Sequence, residues 1–164
     1  MKILKRFNNY FYNLSTFRFI LIMTCLIYFI SITMSFIYTE FWGVNNIGTR
    51  PTYSNLLDAL FWAGILAPLF ETLLFQCFPI NILKFFTKNN YIIVIFSSLC
   101  FGLLHLQYSL FYLVSSFFTG IVLAYSYLLY DIKNKNPFWV VGLVHALNNI
   151  ITVLLMYCLW IISI

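Results

Sequence analysis

Three ionisable side chains stand in otherwise apolar surroundings: Glu71 in LAPLFETLLFQCF, His105 in FGLLH and His145 in HALNN. A charge at the bilayer centre costs about 2.5–3.5 kcal/mol on insertion scales, so such groups face a bundle interior or a wet cavity and pair with one another. One carboxyl and two imidazoles form a pairing set able to move protons, and a carboxylate beside an imidazole can act on water as a general base. Polar neighbours run in short stripes. Asn149 follows His145 by four residues, Phe101 precedes His105 by four, and Thr72 and Gln76 are four apart on a face next to Glu71. An Asn amide and a His N–H can both donate to negative charge developing on a substrate oxygen. Each residue also has a bland use. A membrane His or Asn can be interhelical hydrogen-bond glue, and a Glu can stay protonated and hydrogen-bonded. All four together, on three separate stretches, point to chemistry.

What must position them is a bundle of membrane helices. The chain is 63% hydrophobic and 8% charged, with a mean hydropathy of +0.93. Soluble domains run near 45–50% apolar and about 25% charged. A spanning helix needs roughly 20 apolar residues. Five stretches qualify: 19–38, 56–78, 91–106, 109–130 and 138–161. The fold class expected is therefore an all-α integral membrane protein of about five transmembrane helices. Links between the spans are short, which predicts one membrane domain over 1–164. In it, 19–38 is an extra N-terminal helix and 56–161 the core that carries the motifs. The first span follows the basic MKILKRF but is longer than a signal-peptide core and has no small-residue cleavage site after it, so it reads as a retained helix.

Charge predicts orientation. Lys2, Lys5, Arg6, Arg18, Lys84, Lys88, Lys133 and Lys135 fall on one side of these spans and Arg50 alone on the other. Basic loops stay cytoplasmic, which places the N-terminus inside and the C-terminus outside a cell membrane. The net charge of +5 follows from this bias and from attraction to anionic headgroups, so the partners expected are the lipid bilayer and no nucleic acid. Cys25, Cys77, Cys100 and Cys158 sit in different spans with no C-x-x-C, which argues for apolar filler. The segment EFWGVNNIGTRPTYSN reads as an outer loop, with Trp42 and Tyr53 at the membrane interface.

Local signals refine the picture. Pro68 removes the helical hydrogen bond to the Gly64 carbonyl and predicts a loosened turn just before Glu71; Pro79 is expected to end that helix. Ser116, Gly120 and Ala124 form a small-residue stripe, and Gly142 and Ala146 repeat its spacing, so these two faces are expected to pair. At about 1.5 Å per residue, Glu71 and His145 fall roughly 10 Å from the cytoplasmic face and His105 roughly 10 Å farther out.

The motifs resemble those of the CAAX protease and bacteriocin-processing family, the intramembrane glutamic endopeptidases also called the Abi family. Its pattern is E-E-x-x-x-R, then F-x-x-x-H, then H-x-x-x-N. Here Phe101 to His105 and His145 to Asn149 match intact, while ETLLFQ keeps Glu71 but has Thr72 for the second glutamate and Gln76 for the arginine. The match runs over roughly residues 56–155. The resemblance implies an intramembrane peptidase in which Glu71 and His105 activate water and His145 and Asn149 stabilise the oxyanion. Thr72, Gln76 and Phe101 would support the site or the substrate, and no cofactor or metal takes part. It implies a membrane-associated peptide or protein as substrate. Eukaryotic members process prenylated C-terminal tails, and bacterial relatives are linked to bacteriocin maturation and self-immunity. Two other readings stay open: a peptide-binding immunity protein that does not cut, and a zinc hydrolase using Glu71, His105 and His145, for which no H-E-x-x-H pair exists.

Overall fold

The computed structural model describes residues 2–42 and 53–162. Six helices make up these residues, and no strand occurs among them. They are α1 (Lys2–Asn13), α2 (Thr16–Trp42), α3 (Leu56–Phe86), α4 (Asn90–Leu104), α5 (Leu110–Ile132) and α6 (Pro137–Ile162). Five of them, α2 to α6, are long and apolar enough to cross a membrane, so this is a multi-pass, all-α membrane protein. Most of the outer loop, with Arg50, lies outside the described residues, as does the side chain of Trp42.

Polar residues set the helix starts. The Asn55 side chain accepts from Asp58 N–H at α3, Asn89 from Tyr91 N–H at α4, and Ser109 from Tyr112 N–H at α5. The turn from α5 into α6 places Asn134 and Asn136 at positive φ, 54° and 27°, a region Asn tolerates better than most residues. Lys84 and Asp131 form an ion pair at 2.6 Å, fastening the ends of α3 and α5 on the basic side.

The sequence expectation was that α3 stops at Pro79, and the structure corrects this. The helix runs on to Phe86 because it widens before each proline. Residues Leu60–Leu66 and Leu73–Cys77 form π-type turns, with Ala67 N–H bonded to the Trp62 carbonyl and Phe78 N–H to that of Leu73. A proline then enters where its missing N–H is absorbed by the change of register. The carbonyl left over before Pro68 is that of Ala63 rather than Gly64, since the wide turn shifts the bond from four residues back to five. Asn149 Nδ2 donates to that Ala63 carbonyl at 2.9 Å. At the second wide turn, Ser97 Oγ donates at 2.5 Å to the Phe75 carbonyl, four residues before Pro79. Both repairs come from other helices, the arrangement that lets prolines persist inside membrane helices.

Close approaches fix the neighbours. A Cβ on Gly120 would lie 2.9 Å from Ser98 Cα, and one on Gly102 would lie 2.9 Å from the Leu113 carbonyl oxygen, so α4 and α5 touch backbone to backbone. A Cβ on Gly142 would meet Leu69 of α3 at 3.1 Å. The small residues of α5 and α6 thus face α4 and α3, not each other as their shared spacing suggested. Helix α2 packs on α5 and α6, and Tyr28 donates to the Asn148 carbonyl at 2.9 Å. Helix α1 was not anticipated from the sequence. Its last carbonyls, on Phe11 and Leu14, accept from Lys133 Nζ at 3.3 and 3.4 Å, a cation at a helix C-terminus.

Candidate active site

Glu71 lies midway along α3, between the two widened turns. It is 15 residues before Phe86, and His105 is 15 residues after Asn90, so both sit about 22 Å from the basic ends of their helices. The depth gap predicted between them closes because α3 continues past Pro79. His105 is the first residue of a 3₁₀ turn, His105–Gln107, that ends α4.

His145 Nε2 lies 3.6 Å from Glu71 Oε2, with side chains 4% and 20% exposed, respectively. The Phe101 ring lies between the two imidazoles, its centroid 4.9 Å from that of His105 and 5.4 Å from that of His145. His105 Nδ1 is 3.0 Å from the Phe101 carbonyl oxygen. A carbonyl only accepts, so Nδ1 carries the proton, and in the neutral ring Nε2 is left as an acceptor. The F-x-x-x-H spacing therefore does two things: its phenylalanine separates the histidines, and its backbone fixes the tautomer of one.

Asn149 shares the face of His145, but one amide N–H already goes to Ala63. Asn148 Nδ2 approaches Asn149 Oδ1 at 3.5 Å. The second N–H of Asn149 is the one left for chemistry. Thr72 and Gln76 are fully buried, and neither Thr72 Oγ1 nor the two Gln76 amide atoms have a hydrogen-bond partner among the described residues. His145 Nδ1 is likewise buried without one. Among the described residues, no three His, Cys, Asp or Glu side chains converge as a ligand set for a metal ion.

Sequence reasoning placed Tyr53 at the membrane interface and did not single out Tyr108 or Tyr112. The Tyr108 ring lies 6.2 Å from His105, and Tyr112 lies 5.9 Å from Tyr108. The Tyr53 hydroxyl is pushed above its ordinary pKa, chiefly by burial, then by the nearby charges of Tyr108 and Glu71. The available signal was that Tyr108 and Tyr112 flank the short connection that follows His105.

A family model described as type II CAAX prenyl endopeptidase Rce1-like matches residues 53–151, well over half of the chain. The chain belongs to this family. The matched stretch contains Glu71, His105, His145 and Asn149 and leaves α1 and α2 outside it. No curated protein and no solved structure matches the chain. Membership makes the protein a relative of intramembrane CAAX-type peptidases, in agreement with the three motifs read in order along the sequence.

Proposed function

We propose that this protein hydrolyses a peptide bond at or within the membrane, with Glu71 as general base. The observation that carries the reading is the carboxyl of Glu71 held 3.6 Å from His145 between membrane-spanning helices, in a family of peptidases. A water between Glu71 and the acceptor Nε2 of His105 gives its proton to Glu71 as its oxygen attacks the scissile carbonyl carbon. The carbonyl oxygen takes up the displaced electron pair. His145 Nε2–H and the second N–H of Asn149 donate to that oxyanion. Glu71 then returns the proton to the departing amine as the C–N bond breaks and the C=O re-forms, leaving a carboxylic acid and an amine, and the acid's proton passes to the amine to give carboxylate and ammonium. Thr72 and Gln76 supply neutral hydrogen-bonding groups where the family pattern has a glutamate and an arginine, so substrate binding here needs no ion pair at those positions. The substrate is a membrane-associated peptide or protein, and the setting is the cell membrane with the N-terminus inside.

A second reading, a peptide-binding immunity protein without turnover, is favoured by Thr72, Gln76 and the structural bond of Asn149 to Ala63. The experiment that separates the two is cleavage of membrane-inserted peptides by purified protein and by its Glu71→Gln variant, with and without chelator. Cleavage by the parent that persists in chelator and vanishes in Glu71→Gln supports the peptidase. Binding of peptide with no product from either form supports the second reading, and cleavage lost in chelator supports a metal hydrolase.

A further inference from the structure

Two short connections meet on the basic side of the bundle: Leu14–Ser15, which joins α1 to α2, and Lys133–Asn136, which joins α5 to α6. Between them lies a cleft of about 430 Å³ lined by Tyr12, Asn13, Leu14, Ser15, Lys133 and Lys135. Thr16 opens one spanning helix and Ile132 closes another, so the cleft sits where the membrane meets water on that side. Lys133 is fixed in place. Its ammonium lies 3.3 and 3.4 Å from the Phe11 and Leu14 carbonyl oxygens and 4.6 Å from the centre of the Tyr130 ring. None of these partners carries a formal charge. Burial, and then the charge of Lys135, hold Lys133 below its ordinary pKa, so the two cations lie close enough to repel. Among the described residues neither lysine has a carboxylate partner. The chain has four carboxylates, and none is left for this cleft. Asp131 is taken by Lys84 at 2.6 Å, Glu71 lies against His145, and Glu40 and Asp58 stand at the opposite ends of α2 and α3.

We propose that this cleft binds the phosphate of an anionic lipid headgroup from the leaflet on the basic side. Two cations at close range repel, and an oxyanion between them replaces that repulsion by two attractions. A phosphate oxygen also accepts from neutral donors, which the exposed Tyr12, Asn13 and Ser15 side chains supply. Ser15 Oγ accepts from Arg18 N–H at 3.5 Å as the cap of α2, which leaves the hydroxyl proton to give. A soluble phosphate would use the same groups. What borders them favours the lipid: Phe17, two residues after Ser15, and Ile132, next to Lys133, are both exposed apolar side chains. They stand at the ends of spanning helices, where acyl chains run, and a basic patch with an apolar border suits a membrane surface. The role of the cleft does not depend on catalysis at Glu71.

The test counts bound lipid without turnover. Full-length protein in a non-ionic detergent is titrated with phosphatidylglycerol, or with phosphatidylcholine as the lipid without net charge, and bound lipid is read by native mass spectrometry. One phosphatidylglycerol is expected to bind in preference to phosphatidylcholine. Lys135→Gln, at an exposed position, is expected to weaken that binding about fivefold, the effect of one basic residue near an anionic surface. Lys88→Gln, at an equally exposed lysine of the connection between α3 and α4 on the same side, is expected to leave it unchanged. Should Lys135→Gln unfold, Ser15→Asp keeps a capping side chain on α2, puts a carboxylate in the cleft and is expected to weaken binding at least as much. Equal losses from Lys88→Gln and Lys135→Gln mean diffuse attraction to a basic surface and overturn the site. Unchanged binding in Lys135→Gln or Ser15→Asp, or no preference for phosphatidylglycerol, overturns it too. Inorganic phosphate that displaces the lipid at matching concentration overturns the lipid as occupant, and failure to displace it supports the lipid.

Discussion

Asn149 holds two positions in the reasoning, and a double substitution separates them. Its amide donates to the Ala63 carbonyl at 2.9 Å, the carbonyl that Pro68 has no N–H to reach in the wide register of that turn. Asn149→Ala leaves this acceptor bare between α3 and α6. Interhelical hydrogen bonds in membranes average about 0.6 kcal/mol and reach about 1.7. Stranding a buried acceptor costs about 1–3 kcal/mol. A loss of about 1 kcal/mol is therefore expected, roughly a fivefold shift in the folding equilibrium at RT of about 0.6 kcal/mol. Pro68→Ala returns an N–H at the position that bonds back to Ala63. In that background Asn149→Ala should then be nearly silent for stability, giving a coupling of about 1 kcal/mol in a double-mutant cycle read by reversible unfolding in mixed micelles. Cleavage should behave differently. Loss of one oxyanion donor costs on the order of 10²–10³ in rate, and Pro68→Ala supplies no donor to the substrate. The double variant is expected to be as stable as Pro68→Ala yet as slow as Asn149→Ala. Additive stability losses would refute the carbonyl repair. Full recovery of cleavage in the double variant would refute the oxyanion role and leave Asn149 as structural glue.

Other perturbations address the rest of the site. Glu71→Gln keeps shape and most hydrogen bonding but cannot take a proton, so cleavage should fall to background with folding intact; full activity in that variant rules out base catalysis by Glu71. His105→Ala should impair cleavage severely, because it removes the acceptor Nε2 that the Phe101 carbonyl orients, and near-normal turnover would show that His145 suffices. Gly120→Ala drives a Cβ to 2.9 Å from Ser98 Cα, where ordinary contact begins near 3.4 Å, so α4 must shift by about half an ångström. About 1–3 kcal/mol of overpacking and a clear drop in cleavage are expected. Gly142→Ala meets only the tip of Leu69 and should be mild; equal effects of the two would contradict the backbone contact between α4 and α5. Reporter fusions after Lys88 and Lys135 should read cytoplasm and one after Gly48 the outside, and an external signal at Lys88 would reverse the orientation.

Much of this architecture was legible in composition and spacing, because a bilayer allows few solutions. Apolar length alone gave the five spanning helices, and the scarcity of ionisable groups inside them made Glu71, His105 and His145 conspicuous. The family followed from three motifs on three helices. What was not legible was register. A proline marks a missing N–H, but sequence does not say whether the turn before it holds bonds four or five residues back. At both Pro68 and Pro79 the wide turn prevailed, and a residue of another helix donates to a carbonyl freed in each: Asn149 to Ala63, five residues before Pro68, and Ser97 to Phe75, four before Pro79. Helix α1 was missed because its Lys2, Lys5 and Arg6 read as a charge signal for topology, and the carbonyls that dock it onto Lys133 leave no trace in side-chain type.

The same uncertainty of register explains the predicted depth gap between Glu71 and His105. Counting from a helix that stops at Pro79 puts Glu71 roughly 10 Å from the cytoplasmic face and His105 roughly 10 Å farther out. Letting α3 run to Phe86 places Glu71 and His105 the same number of residues, 15, from the basic ends of their helices, so the count no longer separates them. The cost is two interrupted turns, one on each side of Glu71. Each needs a donor from a neighbouring helix, and those donors sit on the helices that bear His105 and His145: Ser97 on α4 and Asn149 on α6. The repairs that keep α3 continuous therefore also tie it to the two helices that bear the histidines. On this reasoning Ser97→Ala, far from any substrate, should loosen α3 against α4 and lower cleavage through misplacement of Glu71 relative to His105, with a smaller effect on the Glu71–His145 contact.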